Sequence, residues 1–233
     1  MLSKVTLVAE SSASALKVEK LSSYPVDLIQ HGANYDEAQA YALELANTRG
    51  LRYVSPFNHT WVIAGQATIM DEFLVQVPDL EHLVVPVGGG GLLAGVLLAL
   101  DDHGRRDVVV TGVQPVESAA MYHVLRGARN AEVIHHDTIA DGLAGGGDDG
   151  AATNDVIARH GTPLVLVPEA LIRSGVREAL EKNGLVLEGS ATTAYAAITH
   201  DLIGDATRRV GFLATGRNIT PALVRELLDE PPR

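Results

Sequence analysis

The chain has 233 residues, 46% of them hydrophobic and 20% charged, which excludes a disordered or coiled-coil chain and allows a sizeable buried core. Its formal charge of −11, with no basic stripe, speaks against a nucleic-acid partner and against an anionic membrane surface, since both need clustered Lys and Arg. The absence of cysteine excludes a disulfide framework, a thiolate zinc site and a Cys nucleophile.

Short apolar runs alternate with amphipathic stretches along the chain. Val5–Ala9 reads as a buried strand, Ser14–Ser22 as a helix, and Val26–Gln30 as a second strand. Asn34 is placed to cap a helix through Thr48, with Asp36 and Glu37 in its first turn and Gly50 just past its end. Arg52–Val54 reads as a short strand closed by Ser55-Pro56. A helix over Val62–Gln76 and a strand over His82–Val87 follow, and then four glycines. Next come a helix over Leu92–Asp102 and a strand over Val108–Val113. Residues 114–150 are less regular. Beyond them the pattern gives a helix over 151–160, a strand over Pro163–Val167, and helices over 169–182 and 188–203. A strand over Val210–Ala214 and a helix over Pro221–Asp229 complete the chain. Continuously apolar strands alternating with helices predict an α/β fold of open parallel sheets with helices on both faces. The expected boundary lies near Pro56–His59, giving a small unit over 1–58 and a larger one over 59–233.

The sharpest local feature is Val84-Val85-Pro86-Val87-Gly88-Gly89-Gly90-Gly91-Leu92. Consecutive glycines allow a tight turn with positive φ and leave amide N–H groups uncovered. The helix that follows adds unpaired N–H groups and the positive end of its dipole, so the junction suits a phosphate. A plain tight turn is the simpler alternative. Gly89-x-Gly91-x-x-Ala94 also fits a dinucleotide fingerprint, but no acidic residue ends the next strand as that fingerprint wants. A Walker P-loop is excluded because no Gly-Lys-Ser/Thr follows.

The remaining candidates have modest readings. His135-His136 lacks the spacing of a metal pair, Asp148-Asp149 suits a solvated turn, and Thr192 and Thr193 read as core. Trp61 reads as a packing residue. Ser11, Ser12 and Ser14 suit a helix start.

Several segments recur together in order. They are Ser14-Ala15-Leu16-Lys17, His31-Gly32, Pro56-Phe57-Asn58, Ala64-Gly65-Gln66-x-Thr68, Pro86-Val87 with the tetraglycine, and Gly112-Val113-Gln114-Pro115. Ala140-Asp141-Gly142, Val186-x-Glu188-Gly189 and Ala214-Thr215-Gly216-Arg217-Asn218 follow. The set resembles the fold type II (tryptophan-synthase-β-like) pyridoxal-phosphate enzymes, in their threonine/serine dehydratase branch, over essentially the whole chain. The resemblance implies a pyridoxal 5′-phosphate cofactor whose phosphate is held by Gly88, Gly89, Gly90 and Gly91, with Leu92 opening the helix. It implies that Thr215 supplies a hydroxyl to the pyridine nitrogen and that Glu188 and Asn218 border the cofactor pocket, with Asp141 and Gly142 in a family segment. Arg217 departs from the family's glycine there. The implied function is a lyase eliminating the β-hydroxyl of an amino acid to give a 2-oxo acid and ammonia, with the cofactor between two subdomains.

Two further departures follow from the same resemblance. Some relatives bind a metal through two carboxylates where this chain has Gln114 and Ala120, so no metal is expected. The family's Schiff-base Lys lies in a segment that aligns upstream of Met1, roughly 80 to 100 residues of an ordinary domain. The lysines present, Lys4, Lys17, Lys20 and Lys182, read as solvated charges, so no catalytic residue is assigned. The resemblance therefore implies an N-terminally incomplete lyase acting on a small amino acid, either as a homo-oligomer or with a separate chain that supplies the missing N-terminal part. A non-catalytic phosphate-ligand-binding remnant is the alternative, and a nucleotide-dependent oxidoreductase a third. No run approaches the ~18 apolar residues of a spanning helix and the N-terminus soon turns polar, so a cytoplasmic protein is expected.

Overall fold

The computed structural model describes residues 5–204 and 209–230. Two compact units are present, Met1–Val54 and Ser55–Arg233.

In the first unit, β1 (Val5–Ala9) and β2 (Val26–Gln30) pair in parallel, Val5 opposite Val26, with α1 (Ala15–Ser22) between them in sequence. Ser14 caps α1, its hydroxyl accepting the Lys17 N–H at 3.4 Å. Helix α2 (Tyr35–Arg49) begins at Asn34, whose side chain accepts the Glu37 N–H at 3.0 Å, and ends at Gly50 in the left-handed region. The strand expected over Arg52–Val54 does not form. Leu51, Arg52 and Val54 are exposed, the sheet stops at two strands, and Pro56 could not extend a ladder.

The second unit holds a four-stranded parallel sheet in the order β5-β4-β3-β6. Its strands are β3 (His82–Pro86), β4 (Val109–Pro115), β5 (Leu164–Val167) and β6 (Val210–Phe212). Every residue of β3 is buried, as a central strand covered on both faces requires. Side chains alternate across the sheet. Leu83, Val85 and Val110 face one apolar cluster, which draws Ile63 and Met70 from α3 (Thr60–Gln76), Leu93 and Val96 from α4 (Gly91–Asp102), and Ile157 from α6 (Ala152–Arg159). Val84 and Val113 face the other, with Ile172 from α7 (Glu169–Asn183) and Ala194 and Ala197 from α8 (Gly189–Thr199). The small α5 (Ala120–Val124) and the amphipathic α9 (Pro221–Asp229) complete the unit. Each large aliphatic side chain so buried contributes roughly 1.5–3 kcal/mol. The fold is therefore α/β with parallel sheets and helices on both faces.

Three expectations change in detail. Helix α8 stops at Thr199 rather than 203, because Asp201 adopts φ 55° and the Leu202 N–H turns back to the Ala197 carbonyl at 2.9 Å. Strand β6 ends at Phe212, before Ala214. Trp61 does not pack: it is 72% exposed in the first turn of α3, edge-on to His59. Lys4 lies outside the described residues.

Candidate active site

All four strands of the second unit are parallel, so their carboxyl ends share one edge, where ligands bind in open α/β sheets. Strand β3 leaves that edge after the Val87 N–H has bonded the Val113 carbonyl at 2.9 Å. The chain then turns through Gly88, Gly89 and Gly90, and Gly91 begins α4. Gly90 is the N-cap, at φ 84° and ψ 0°, and no side chain caps the helix. Among the described residues, the N–H groups of Gly88 to Leu93 have no acceptor within the chain. The first amides of a helix are orphaned in any case, and here the preceding amides add to them. The result is a run of open donors at the positive end of a helix dipole.

The glycines also answer a packing demand that the sequence pattern did not show. A Cβ on Gly89 would lie 2.3 Å from the Phe57 ring, and one on Gly91 2.7 Å from the Phe57 carbonyl oxygen. Phe57 is 9% exposed and sits flat against the turn. On the other side a Gly90 Cβ would meet the Met121 methyl at 2.7 Å. Only Gly88 has ordinary room, with Leu143 Cα 3.4 Å from the position of a Cβ. The turn is thus clamped between Phe57 and the α5–α6 side, and the Thr153 hydroxyl of α6 donates to the Gly89 carbonyl at 2.9 Å.

Segment 138–144 links this turn to α8. Glu169 accepts the Thr138 hydroxyl at 2.6 Å and the Ile139 N–H at 2.9 Å, which fixes the start of the segment. Asp141–Leu143 forms a 3₁₀ turn, and the Gly142 N–H donates to Ser190 Oγ at 3.0 Å. Gly142 and Leu143 therefore touch Gly88 on one side and the first turn of α8 on the other.

Glu188 is the N-cap of α8. Its own N–H donates to the Gly216 carbonyl at 3.1 Å, and its carboxylate accepts the Asn218 N–H at 2.8 Å. A carboxylate suits a helix N-terminus. A Cβ on Gly216 would lie 2.3 Å from Glu188 Oε1, so the close approach of the two segments depends on that glycine. Thr215 and Arg217, on either side of Gly216, are exposed. Thr215 follows β6 by three residues, as the glycine turn follows β3, and β3 and β6 are neighbours.

Of the residues singled out from sequence, Glu188, Asn218 and the Thr215 segment are held together directly, and Gly88 reaches them through Gly142 and Ser190. Leu92 packs partly against the core, with its N–H open. Asp141 is exposed. Phe57 lies in the Pro56-Phe57-Asn58 segment and has no sequence signal of its own. Thr153, Ser190 and Glu169 carried no sequence signal, because each acts across 30 to 64 residues of chain.

The other candidates have structural partners. Gln114 is fully buried, its Oε1 accepting the Tyr122 N–H at 2.7 Å, and Ala120 is buried close by in sequence. His135 Nδ1 bonds Ser118 Oγ at 2.7 Å. Asp149 accepts the Asn130 N–H at 2.8 Å. The Thr192 and Thr193 hydroxyls donate to the Glu188 and Gly189 carbonyls, so both are core residues of α8. Lys182, on α7, pairs with Glu178 at 2.9 Å, which raises its pKa. Away from the site, His160 and Arg106 hold the Asp101 carboxyl below its usual range. Among the described residues no group of three His, Asp or Glu could hold a metal ion, and no helix is long and apolar enough to cross a membrane.

Comparison with known proteins agrees with this architecture. The family described as "Pyridoxal-phosphate dependent enzyme" matches residues 2–216. An L-threonine ammonia-lyase of Thermotoga maritima is 32% identical over 225 residues, which are 97% of this chain and 55% of that protein. A biosynthetic L-threonine dehydratase of Haemophilus influenzae is 32% identical over 197 residues, 84% of this chain and 38% of its own length. The chain thus spans about half the length of such relatives. Among solved structures, the processed threonine deaminase isoform 2 of Solanum lycopersicum aligns with a TM-score of 0.82 at 28% identity. That alignment covers 96% of this chain and 65% of that one. A fungal L-serine ammonia-lyase from Rhizomucor miehei aligns at 0.79 and 25% identity, over 96% of this chain and 73% of that one.

Proposed function

The chain belongs to the family of pyridoxal-phosphate dependent enzymes, and on that premise we propose that it forms the cofactor-holding part of a lyase of the threonine/serine ammonia-lyase type. The observation that carries this reading is the run of open amides from Gly88 to Leu93 at the N-terminus of α4. A phosphate monoester is a dianion with several acceptor oxygens, which such a run of donors satisfies.

The residues present fit the rest of the cofactor as well. In this reading the Thr215 hydroxyl faces the pyridine nitrogen as a neutral partner. Glu188 orders the segment around Thr215 through the Asn218 N–H and so fixes where that hydroxyl stands. The bound cofactor supplies the electron sink for loss of an α-proton and a β-hydroxyl. What this chain does for that chemistry is bind the phosphate and orient the ring. The substrate class is a small β-hydroxy amino acid, as the names of the relatives suggest.

Titration with pyridoxal 5′-phosphate, pyridoxal and NAD tests the reading. The phosphorylated cofactor is expected to bind at least about tenfold more tightly than pyridoxal, roughly 1.4 kcal/mol. Tight NAD binding without response to pyridoxal 5′-phosphate would overturn the proposal. Borohydride reduction followed by peptide mapping is expected to leave Lys4, Lys17, Lys20 and Lys182 without a stoichiometric adduct. A full adduct on Lys17 or Lys20 would show that this chain holds its own attachment site.

A further inference from the structure

We infer that Thr153 is a positioning residue that sets the direction of the glycine turn's phosphate-binding amides. The inference rests on the reading of that turn as the phosphate site. It begins with the peptide between Gly89 and Gly90. A trans peptide is planar, and its C=O and N–H point in opposite directions. Rotating that one peptide by about 180° changes only ψ of Gly89 and φ of Gly90. Both residues lack a Cβ, so neither resists the rotation as other residues would. This peptide therefore has little intrinsic preference, and one of its two orientations presents a carbonyl oxygen to the anion.

Thr153 removes the ambiguity. Its side chain is fully buried, and its hydroxyl donates to the Gly89 carbonyl at 2.9 Å. That bond turns the Gly89 oxygen toward α6. By planarity, the Gly90 N–H points away from that carbonyl, and it has no acceptor among the described residues. The lock is itself held. Thr153 is the second residue of α6, and the Ala152 N–H beside it donates to Asn58 Oδ1 at 2.8 Å. One turn further on, Ile157 is buried in the core. The first turn of α6 thus carries a hydroxyl to a Gly–Gly peptide that its own two residues leave free to rotate.

The test uses Thr153→Val, which keeps the shape and removes the hydroxyl, and Thr153→Ser, which keeps the hydroxyl. Dissociation constants for pyridoxal 5′-phosphate and for pyridoxal are measured for each, with thermal melting as the check on folding. Thr153→Val is expected to lose about tenfold in affinity for the phosphorylated cofactor and to leave pyridoxal unchanged. Thr153→Ser is expected to keep the wild-type ratio. A Val variant with the wild-type ratio, or with equal losses for both ligands, would overturn the inference alone. A wild-type chain that binds both ligands equally would overturn the reading of the site and the inference with it. A second measurement needs no variant: on titration of the wild-type chain with inorganic phosphate, the Gly90 amide proton resonance is expected to move with those of Gly91 and Leu92. Movement of those two with a static Gly90 would also overturn the inference.

Discussion

The Glu188 carboxylate accepts the backbone N–H of Asn218 at 2.8 Å, 30 residues further along the chain, and Gly216 leaves it the room to do so. That contact joins the N-terminus of α8 to the segment after β6. Glu188→Ala removes the acceptor and leaves the Asn218 N–H in search of one, at about 1–3 kcal/mol. Faster amide exchange over 214–218 is the expected result. Unchanged protection there would mean that the segment is ordered by something else.

Phe57 predicts a larger effect. Its ring lies against Gly89 and its backbone against Gly91. Phe57→Ala opens a cavity beneath the turn and is expected to cost about 3–5 kcal/mol by denaturant unfolding. The loss in cofactor affinity should exceed that of a core substitution of similar cost remote from the turn, such as Met70→Ala.

The glycines are not equivalent. Gly90→Ala must place a Cβ at φ 84° and 2.7 Å from Met121, so a loss of about 1–3 kcal/mol is expected. Gly88→Ala meets its nearest atom at 3.4 Å and should be much milder. Melting curves for the pair check the ordering, and equal losses would contradict this geometry.

Asp101 gives a pH dependence. It accepts Arg106 Nε at 2.8 Å and contacts His160 Nε2 at 3.1 Å, and these partners lower its pKa below the unfolded value near 3.8. A lowered carboxyl pKa means that the folded state binds the proton less readily. The stabilisation is therefore present above about pH 4 and lost as pH falls through the lower folded value. The gap in melting temperature between wild type and Asp101→Asn should be small at pH 7, because the pair is partly solvated, and should close in acid.

Arg173 ties α9 and Glu230 to α7. Its guanidinium contacts Glu226 at 2.6 Å and also Glu230, while the neighbouring Arg177 donates to the Glu230 carbonyl at 2.7 Å. Burial of Arg173 is partial, and its pKa is raised by the two carboxylates. Arg173→Ala is expected to cost about 1 kcal/mol and to speed hydrogen exchange in α9 without touching the glycine turn. Loss of protection at 88–92 would show coupling that the contacts do not account for.

Sequence alone carried the parts governed by short-range rules. The Asn34 and Ser14 caps, the Gly50 stop, Pro221 at the start of α9 and the strand-then-glycine junction at 82–91 each follow from a few adjacent residues, and all are present in the fold. The parallel α/β class followed from apolar strands alternating with helices. The same local logic misled at Arg52–Val54 and at Trp61. A strand needs a neighbour and an aromatic ring needs a core, and neither requirement is written in the adjacent residues. Tertiary structure alone decided what surrounds the turn: Phe57 beneath it, Thr153 on the Gly89 carbonyl, Ser190 on Gly142 and Glu188 on Asn218. The physical reason is range. Propensity and periodicity act within a helical turn or a strand, whereas a site is made by hydrogen bonds and close packing between segments that only the folded sheet brings to one edge.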